Sequence, residues 1–287
     1  MRAFDFHTPV GLPEALGLLA ELGAEAAPLA GGTDLLLRMR SGEQSPRAIV
    51  SLKRVKALEA VSFDAQQGLR LGARLTLRDL IRSPIVREHY PVLAQAAATM
   101  ASEQVRSLAT VGGNLVNAAP SADLAPPLLV LGAEVRLASA SGERRLPLER
   151  FFLGPGLCDL KPEELLVEIQ VPPPDGSALY LKHAPRAYMD IAVVGVAVGL
   201  GRGNGNGRSL RIALGAVAPV PLLARRAADA VSGSRLRPAD VERAAEIAAE
   251  ECSPIDDVRA SAAYRRRIVS VLVRRGLQEI AAAGETA

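Results

Sequence analysis

Two Gly-Gly pairs mark the places where this chain could bind an anion. The first lies in Leu29-Ala30-Gly31-Gly32-Thr33-Asp34-Leu35. The second lies in Thr110-Val111-Gly112-Gly113-Asn114, with Asp123 following in Ser121-Ala122-Asp123-Leu124. Each pair follows a short apolar run and ends in small polar residues. Glycine tolerates positive φ and lets a backbone approach a ligand closely, so successive amide N–H groups can converge on one anion. Two such turns in one chain predict a clamp on a diphosphate rather than a cradle for a single phosphate. Thr33, Thr110 and Asn114 carry side chains able to donate to phosphate oxygens. Asp34 and Asp123 have two readings, as helix N-caps or as acceptors for ribose-type hydroxyls.

Other nucleotide and catalytic signatures are missing. No Lys-Ser or Lys-Thr follows a P-loop spacing, and neither pair fits the GxGxxG fingerprint. The run Gly201-Arg202-Gly203-Asn204-Gly205-Asn206-Gly207 imitates one, but it lies between two strand candidates and reads as a hairpin loop. The three histidines, His7, His89 and His183, lack metal-ligand spacing, and there is no GxSxG elbow. Cys158 and Cys252 are too few for an iron–sulfur cluster and read as reduced, structural thiols. Lys182, taken alone, reads as a surface lysine on a strand. No side chain stands out as a catalytic acid, base or metal ligand.

The elements that must position these residues follow from patterning. The 287 residues, 49% of them hydrophobic, suffice for two domains or one large one. Aromatics make up only 3%, so the core must rest on Ala, Leu and Val. The net charge of +3 comes from 34 basic and 31 acidic residues, interspersed as on a solvated surface. Arg265-Arg266-Arg267 is the densest basic cluster. Its arginines are expected to spread over the outer face of a helix, and no aromatics interleave to suggest nucleic-acid binding. The N-terminus lacks a signal-peptide pattern and no apolar run reaches a membrane span, which predicts a cytoplasmic protein.

Helical spacing predicts a helix over Pro13–Leu22, and Thr33 or Asp34 is placed to cap a short helix from Leu35. Ala48–Leu52 reads as a buried strand, and a second lobe begins near Leu58. There Leu69–Leu75 alternates like a strand, Tyr90–Met100 is helical, and any helix near Pro126-Pro127 starts at or after that pair. Pro172-Pro173-Pro174-Asp175-Gly176 breaks both helix and strand, so the domain boundary is expected there. The division is residues 1–175, with lobes of about 1–57 and 58–175, and then residues 176–287. The second domain should run strands first, near 178–183, 191–200 and 210–216, and then helices from Pro221, Pro238 and about Ala260.

Taken together, Ala30-Gly31-Gly32-Thr33-Asp34-Leu35-Leu36, Thr110-Val111-Gly112-Gly113-Asn114-Leu115 and Ser121-Ala122-Asp123-Leu124 resemble the FAD-binding medium subunit of molybdenum hydroxylases, the xanthine dehydrogenase and carbon monoxide dehydrogenase type. The run Ser253-Pro254-Ile255-Asp256-Asp257-Val258-Arg259-Ala260-Ser261-Ala262-Ala263-Tyr264-Arg265 is similar to that family's C-terminal signature. The resemblance spans nearly the whole chain. It implies an α+β fold: a two-lobed FAD domain of the vanillyl-alcohol-oxidase type, then a smaller α+β domain of sheet plus helices. It also implies that Leu29–Leu35 and Thr110–Asn114 hold the FAD diphosphate, that Asp123 and Leu166 contact FAD, and that Lys182 lies near the flavin ring. Met100 and Ile191 stand where relatives place aromatics, with Tyr188 as a substitute. The first loop carries Thr33-Asp34 rather than the His-Ser or Gln-Ser of carbon monoxide dehydrogenases, which points away from carbon monoxide as substrate. The implied partners are a small subunit with two [2Fe–2S] clusters and a large molybdopterin subunit, in a dimer of heterotrimers. The implied role is electron transfer from those clusters through FAD to NAD, a quinone or oxygen. A stand-alone FAD-dependent oxidoreductase of the same fold is the alternative.

Overall fold

The computed structural model describes residues 2–202 and 208–285. The first lobe is a three-stranded parallel sheet. Its elements are β1 (Asp5–His7), α1 (Leu12–Leu22), β2 (Ala26–Leu29), α2 (Leu35–Ser41) and β3 (Ala48–Ser51), with strand order β1-β3-β2. All four residues of β3 are buried, as a central parallel strand demands. α1 lays Ala15, Leu16 and Leu19 onto a cluster with Val50, Leu52 and Leu58 that extends to Leu165 and Val167 of the second lobe. The first Gly-Gly loop therefore leaves the carboxyl end of β2, the position where parallel sheets present ligand sites.

The second lobe contains β4 (Val61–Asp64), β5 (Gly68–Gly72), α3 (Leu77–Arg82), α4 (Pro84–His89), α5 (Pro91–Ala98), α6 (Glu103–Arg106), α7 (Val111–Val116) and α8 (Ala125–Val130). It continues through β6 (Glu134–Ser139), β7 (Gly142–Pro147), the small hairpin β8 (Phe152–Gly154) and β9 (Leu157–Cys158), and β10 (Leu165–Val171). An antiparallel sheet runs β4-β5-β10-β6-β7, and the helices bury Leu, Val and Ala side chains against it. Tyr90 is sealed in this core and its hydroxyl donates to the Pro172 carbonyl at 2.7 Å. Burial pushes that phenol up to about 12.

Several local expectations change. The second Gly-Gly pair is the first turn of α7, not a loop. Pro126 and Pro127 also sit inside α8, which starts one residue earlier at Ala125. Proline is tolerated there because first-turn amides have no intrahelical acceptor. Asp34 takes the N-cap position of α2, yet its side chain caps nothing. Thr33 donates to Asp34 instead, at 3.2 Å.

The C-terminal sheet runs β11 (Gly176–His183), β12 (Val194–Arg202), β13 (Arg208–Gly215) and β14 (Leu222–Leu223), all antiparallel. Three helices follow: α9 (Arg225–Asp229), α10 (Pro238–Glu251) and α11 (Ala262–Glu285). Ile191 precedes β12 rather than opening it, and α9 begins at Arg225 because Leu222–Leu223 pairs as β14. Of the Gly-rich run, Gly201 and Arg202 belong to β12, and residues 203–207 lie outside the described residues. α11 crosses β12 closely: a Cβ on Gly276 would lie 2.9 Å from a Val198 methyl. On its other face the sheet meets α8, where a Cβ on Gly199 would lie 3.3 Å from Val130. Both cysteines are free, and burial pushes the Cys158 thiol up to about 11.

Arg265 does not face solvent. It is 3% exposed and donates to the carbonyls of Val193 at 2.8 Å and Ala216 at 3.1 Å, and to Asp257 at 2.7 Å. Asp257 in turn accepts the amides of Arg259 and Ala260, and these contacts hold its carboxyl below the usual range. The Pro254–Arg265 signature is thus a strap that ties α11 to one end of the sheet, where β12 begins and β13 ends. Arg265→Met leaves two buried carbonyls without donors and should cost about 3 kcal/mol, read by denaturant unfolding of the full chain. A wild-type midpoint would contradict the strap.

Candidate functional site

A cleft of about 690 Å³ opens between the two lobes and is closed on one side by the C-terminal domain. The first lobe lines it with Ala30–Leu35, Arg38 and Gln44. The second contributes Met100, Ala101, Val105, Thr110, Gly113, Asn114, Asn117, Ser121 and Asp123. Met189, Asp190 and Ile191 come from the loop between β11 and β12. Its size suits an organic cofactor.

The two glycine segments contribute unequally. Residues 109–111 run against 75–77, with an isolated Thr76–Thr110 bridge. That pairing consumes the second segment's amides. Val111 donates to the Leu75 carbonyl at 2.9 Å and Gly112 to that of Ala73 at 2.8 Å. Gly113 donates to Thr110 Oγ1 at 3.0 Å and Asn114 to the Thr110 carbonyl at 3.0 Å. In the first segment, Gly31, Gly32, Thr33, Asp34 and Leu35 have amides with no acceptor among the described residues. The amides of Val111 to Asn114 are taken within the protein, so most of the free backbone donors belong to the first segment.

The glycines divide within each pair instead. A Cβ on Gly31 would sit 2.0 Å from the Leu108 carbonyl oxygen, and one on Gly112 would sit 2.6 Å from Ala73 Cβ. Gly31 lets backbone touch backbone across the lobes, and Gly112 lets the start of α7 sit on Ala73 within the second lobe. Gly32 takes φ +74°, and a Cβ on Gly113 would meet only Thr110 Oγ1, at 2.8 Å.

A chain of side chains joins the lobes beneath the cleft. Arg38 Nη2 donates to Asn117 Oδ1 at 2.5 Å, and Asn117 Nδ2 donates to Asp34 Oδ1 at 3.1 Å. Neither Arg38 nor Asn117 was singled out from sequence. Their signal was periodicity: Arg38 lies one helical turn after Asp34, and Asn117 lies one turn after Asn114. Arg38 is the one Lys or Arg side chain among the described lining residues, against Asp34, Asp123 and Asp190. Asp190 is held by Arg186, at 3.3 Å from its Nε, which lowers its carboxyl below the usual range.

Strained backbone occurs in the cleft lining at Ala101 and Met189 and next to it at Ala118. Ala101 at φ +43°, Ala118 at +46° and Met189 at +53° are L residues in the left-handed region, each costing about 1–3 kcal/mol. Every one has a fixed carbonyl. Arg106 Nη1 donates to that of Ala101 at 3.0 Å, the Gly156 amide to that of Ala118 at 3.0 Å, and Arg186 Nη2 to that of Met189 at 3.0 Å.

Asn114 Oδ1 is buried without a partner at the cleft wall. Asp123, 7% exposed, accepts from Tyr180 Oη at 2.7 Å and from Lys182 Nζ at 2.9 Å. A carboxylate offers about four acceptor positions, so lone pairs remain for a hydroxyl in the cleft. A row of free amides, an orphaned amide oxygen and a carboxylate with spare acceptors together suit a ligand carrying both a diphosphate and hydroxyls. The Asp34 and Asp123 side chains cap no helix.

Other sequence-assigned residues fall outside the lining. Leu29 ends β2 opposite Ser51, and Val111 and Gly112 are buried behind α7. Leu166 is buried opposite Leu137 in the second-lobe sheet. Lys182 borders a separate cavity with Leu272, Arg275 and Glu279. Tyr188 is 81% exposed and stands off the cleft, whereas Met100 and Ile191 line it.

Residues 2–174 match the model described as the FAD binding domain in molybdopterin dehydrogenase, and residues 179–280 match the CO dehydrogenase flavoprotein C-terminal domain. The chain is an FAD-binding medium subunit of the molybdenum hydroxylase family. It is 35% identical to the putative xanthine dehydrogenase FAD-binding subunit XdhB of Escherichia coli K12, over 98% of both chains. It is 32% identical to the carbon monoxide dehydrogenase medium chain of Hydrogenophaga pseudoflava, over 96% of both. A solved structure of carbon monoxide dehydrogenase from that organism, lacking the Mo-pyranopterin moiety, superposes with a TM-score of 0.92 at 33% identity, covering 98% of each chain. The fold of such medium subunits is therefore the fold of this chain.

For a medium subunit built this way, the glycines predict distinct stabilities. Gly31→Ala and Gly112→Ala force backbone apart and should each cost about 3 kcal/mol, near the upper end for overpacking. Gly113→Ala disturbs one helix cap and should cost about 1 kcal/mol. Denaturant titration of the apoprotein reads this directly. Equal losses at all three positions would contradict the assigned roles.

Proposed function

We propose that this chain is the electron-relay subunit of a molybdenum hydroxylase complex. In this reading it takes electrons from the [2Fe–2S] clusters of a small partner subunit. Those clusters are filled by a large molybdopterin subunit that oxidises the substrate, and the complex is a dimer of heterotrimers. The observation that carries the reading is the run of unpartnered amides at Gly31–Leu35, in residues that line a cleft whose other side chains can accept hydroxyls. FAD, when bound, supplies the chemistry that joins one-electron donors to a two-electron acceptor such as NAD, a quinone or oxygen.

The chain's own residues would bind and orient. The amides of Gly31, Gly32, Thr33, Asp34 and Leu35 would take the diphosphate charge, reinforced by Arg38, with Ala30 at the entry of the loop. Thr110 and Gly113 would form the opposite wall, held from behind by Val111 and Gly112. Asn114 and Asp123 would take hydroxyls, and Met100 and Ile191 would shield the ring from water. The loop carrying Met189 and Ile191, which are 59% and 47% exposed, leaves the mouth accessible to an acceptor. No side chain is required as acid or base.

Two measurements test this. The isolated chain should bind one FAD, with Arg38→Met weakening binding about tenfold and reducing its salt dependence. Anaerobic mixing of the loaded chain with its reduced iron–sulfur partner should bleach the flavin absorbance in the absence of substrate. A chain that binds no FAD, or a bound flavin that the partner cannot reduce, would overturn the reading.

A further inference from the structure

The cleft wall at Asp123 is completed from outside the N-terminal domain. β11 alternates as a strand must: Leu179 and Leu181 pack with the helix-covered C-terminal core, while Ala178 and Tyr180 pack against the core of the second lobe. Lys182 lies two residues beyond Tyr180 and shares its direction. Tyr180 Oη reaches Asp123 Oδ1 at 2.7 Å, and Lys182 Nζ reaches Asp123 Oδ2 at 2.9 Å and the Thr99 carbonyl at 3.2 Å. Thr99 leads into Met100 and Ala101, whose carbonyls Arg106 Nη1 holds at 2.6 and 3.0 Å. One ammonium thus links the two segments that form this wall of the cleft.

We propose that Tyr180 and Lys182 are positioning residues for the cofactor site: through them the C-terminal domain sets the Asp123 carboxylate and the Thr99–Ala101 wall. The inference rests on the cleft being the FAD site. Burial raises the Asp123 carboxyl, and Lys182 and Tyr180 draw it back down. Burial and the neighbouring carboxylate push the Tyr180 phenol far above its ordinary value, so it remains a donor. The groups facing Asp123 are these two from β11. Asp34, Arg38 and Asp190 line the same cleft, and Arg275 and Glu279 of α11 border the cavity beside Lys182.

The sign of the test follows from these neighbours. Removing the ammonium leaves burial unopposed, so Asp123 gains a proton at higher pH than in the wild type and loses acceptor strength. FAD affinity of the full chain is measured by flavin fluorescence from about pH 6 to about pH 8.5, with thermal unfolding of each apoprotein in parallel. Lys182→Met should bind FAD about tenfold more weakly at the acid end and recover towards the alkaline end. Tyr180→Phe should shift the same way but less. Lys182→Arg should restore most of the affinity. Asp123→Asn combined with Lys182→Met should be weak and flat with pH. A purely structural role predicts losses that do not depend on pH and that track the unfolding temperature. That outcome, or wild-type affinity in Lys182→Met, overturns the proposal. Failure of the wild type to bind FAD would instead remove the cleft reading and this inference with it.

Discussion

The structure depends on two glycine contacts, one across the lobes and one inside the second lobe. Gly31 lies against the Leu108 carbonyl and Gly112 against Ala73, each closer than any Cβ would permit. The first contact sets the β2–α2 loop beside the second lobe, where its residues line the cleft and its amides have no protein acceptor among the described residues. The second brings the start of α7 onto the strand-like segment 73–77, which absorbs its amides. A side chain at Gly31 would separate the lobes and misalign the loop, and one at Gly112 would lift the start of α7 off Ala73. Glycine is poor in a helix by roughly 1 kcal/mol, so its presence in the first turn of α7 reflects this contact rather than local propensity.

The electrostatics follow from that geometry. Three carboxylates and one guanidinium line the cleft, an unfavourable set for a diphosphate by side-chain charge alone. Unpartnered amides can accept an anion without a further basic group. The carboxylates are each committed: Asp34 to Asn117 and Thr33, Asp190 to Arg186, and Asp123 to Tyr180 and Lys182. The strained turns at Ala101, Ala118 and Met189 are held by donors that point at their carbonyls. Strain held this way is common at sites whose geometry must not relax.

Much of this was legible beforehand. The apolar spacing of α1, the buried run of β3 and the Pro-rich break before β11 carry their structures locally. Asp123 and the first Gly-Gly loop were visible because small polar residues follow a buried strand or apolar run. What was hidden needed partners distant in sequence. The glycines of α7 looked like a turn because the atoms that require them belong to Ala73. Thr110, three residues before Gly113, was the available sign of a helix cap. Arg265 looked exposed because its acceptors, Val193 and Ala216, lie at one end of the sheet, distant in sequence. Tyr180 carried no motif, and only the pairing of β11 with β12 aims it at Asp123.

The central claim is that the cofactor's diphosphate is held by the amides of the first glycine loop and not by those of the second. Amide hydrogen exchange of the full chain, measured with and without FAD, tests it most directly. The account predicts strong new protection on adding FAD for Gly31–Leu35. It predicts little change for Val111–Asn114, whose amides already have protein acceptors. New protection centred on Val111–Asn114, with none at Gly31–Leu35, would contradict it.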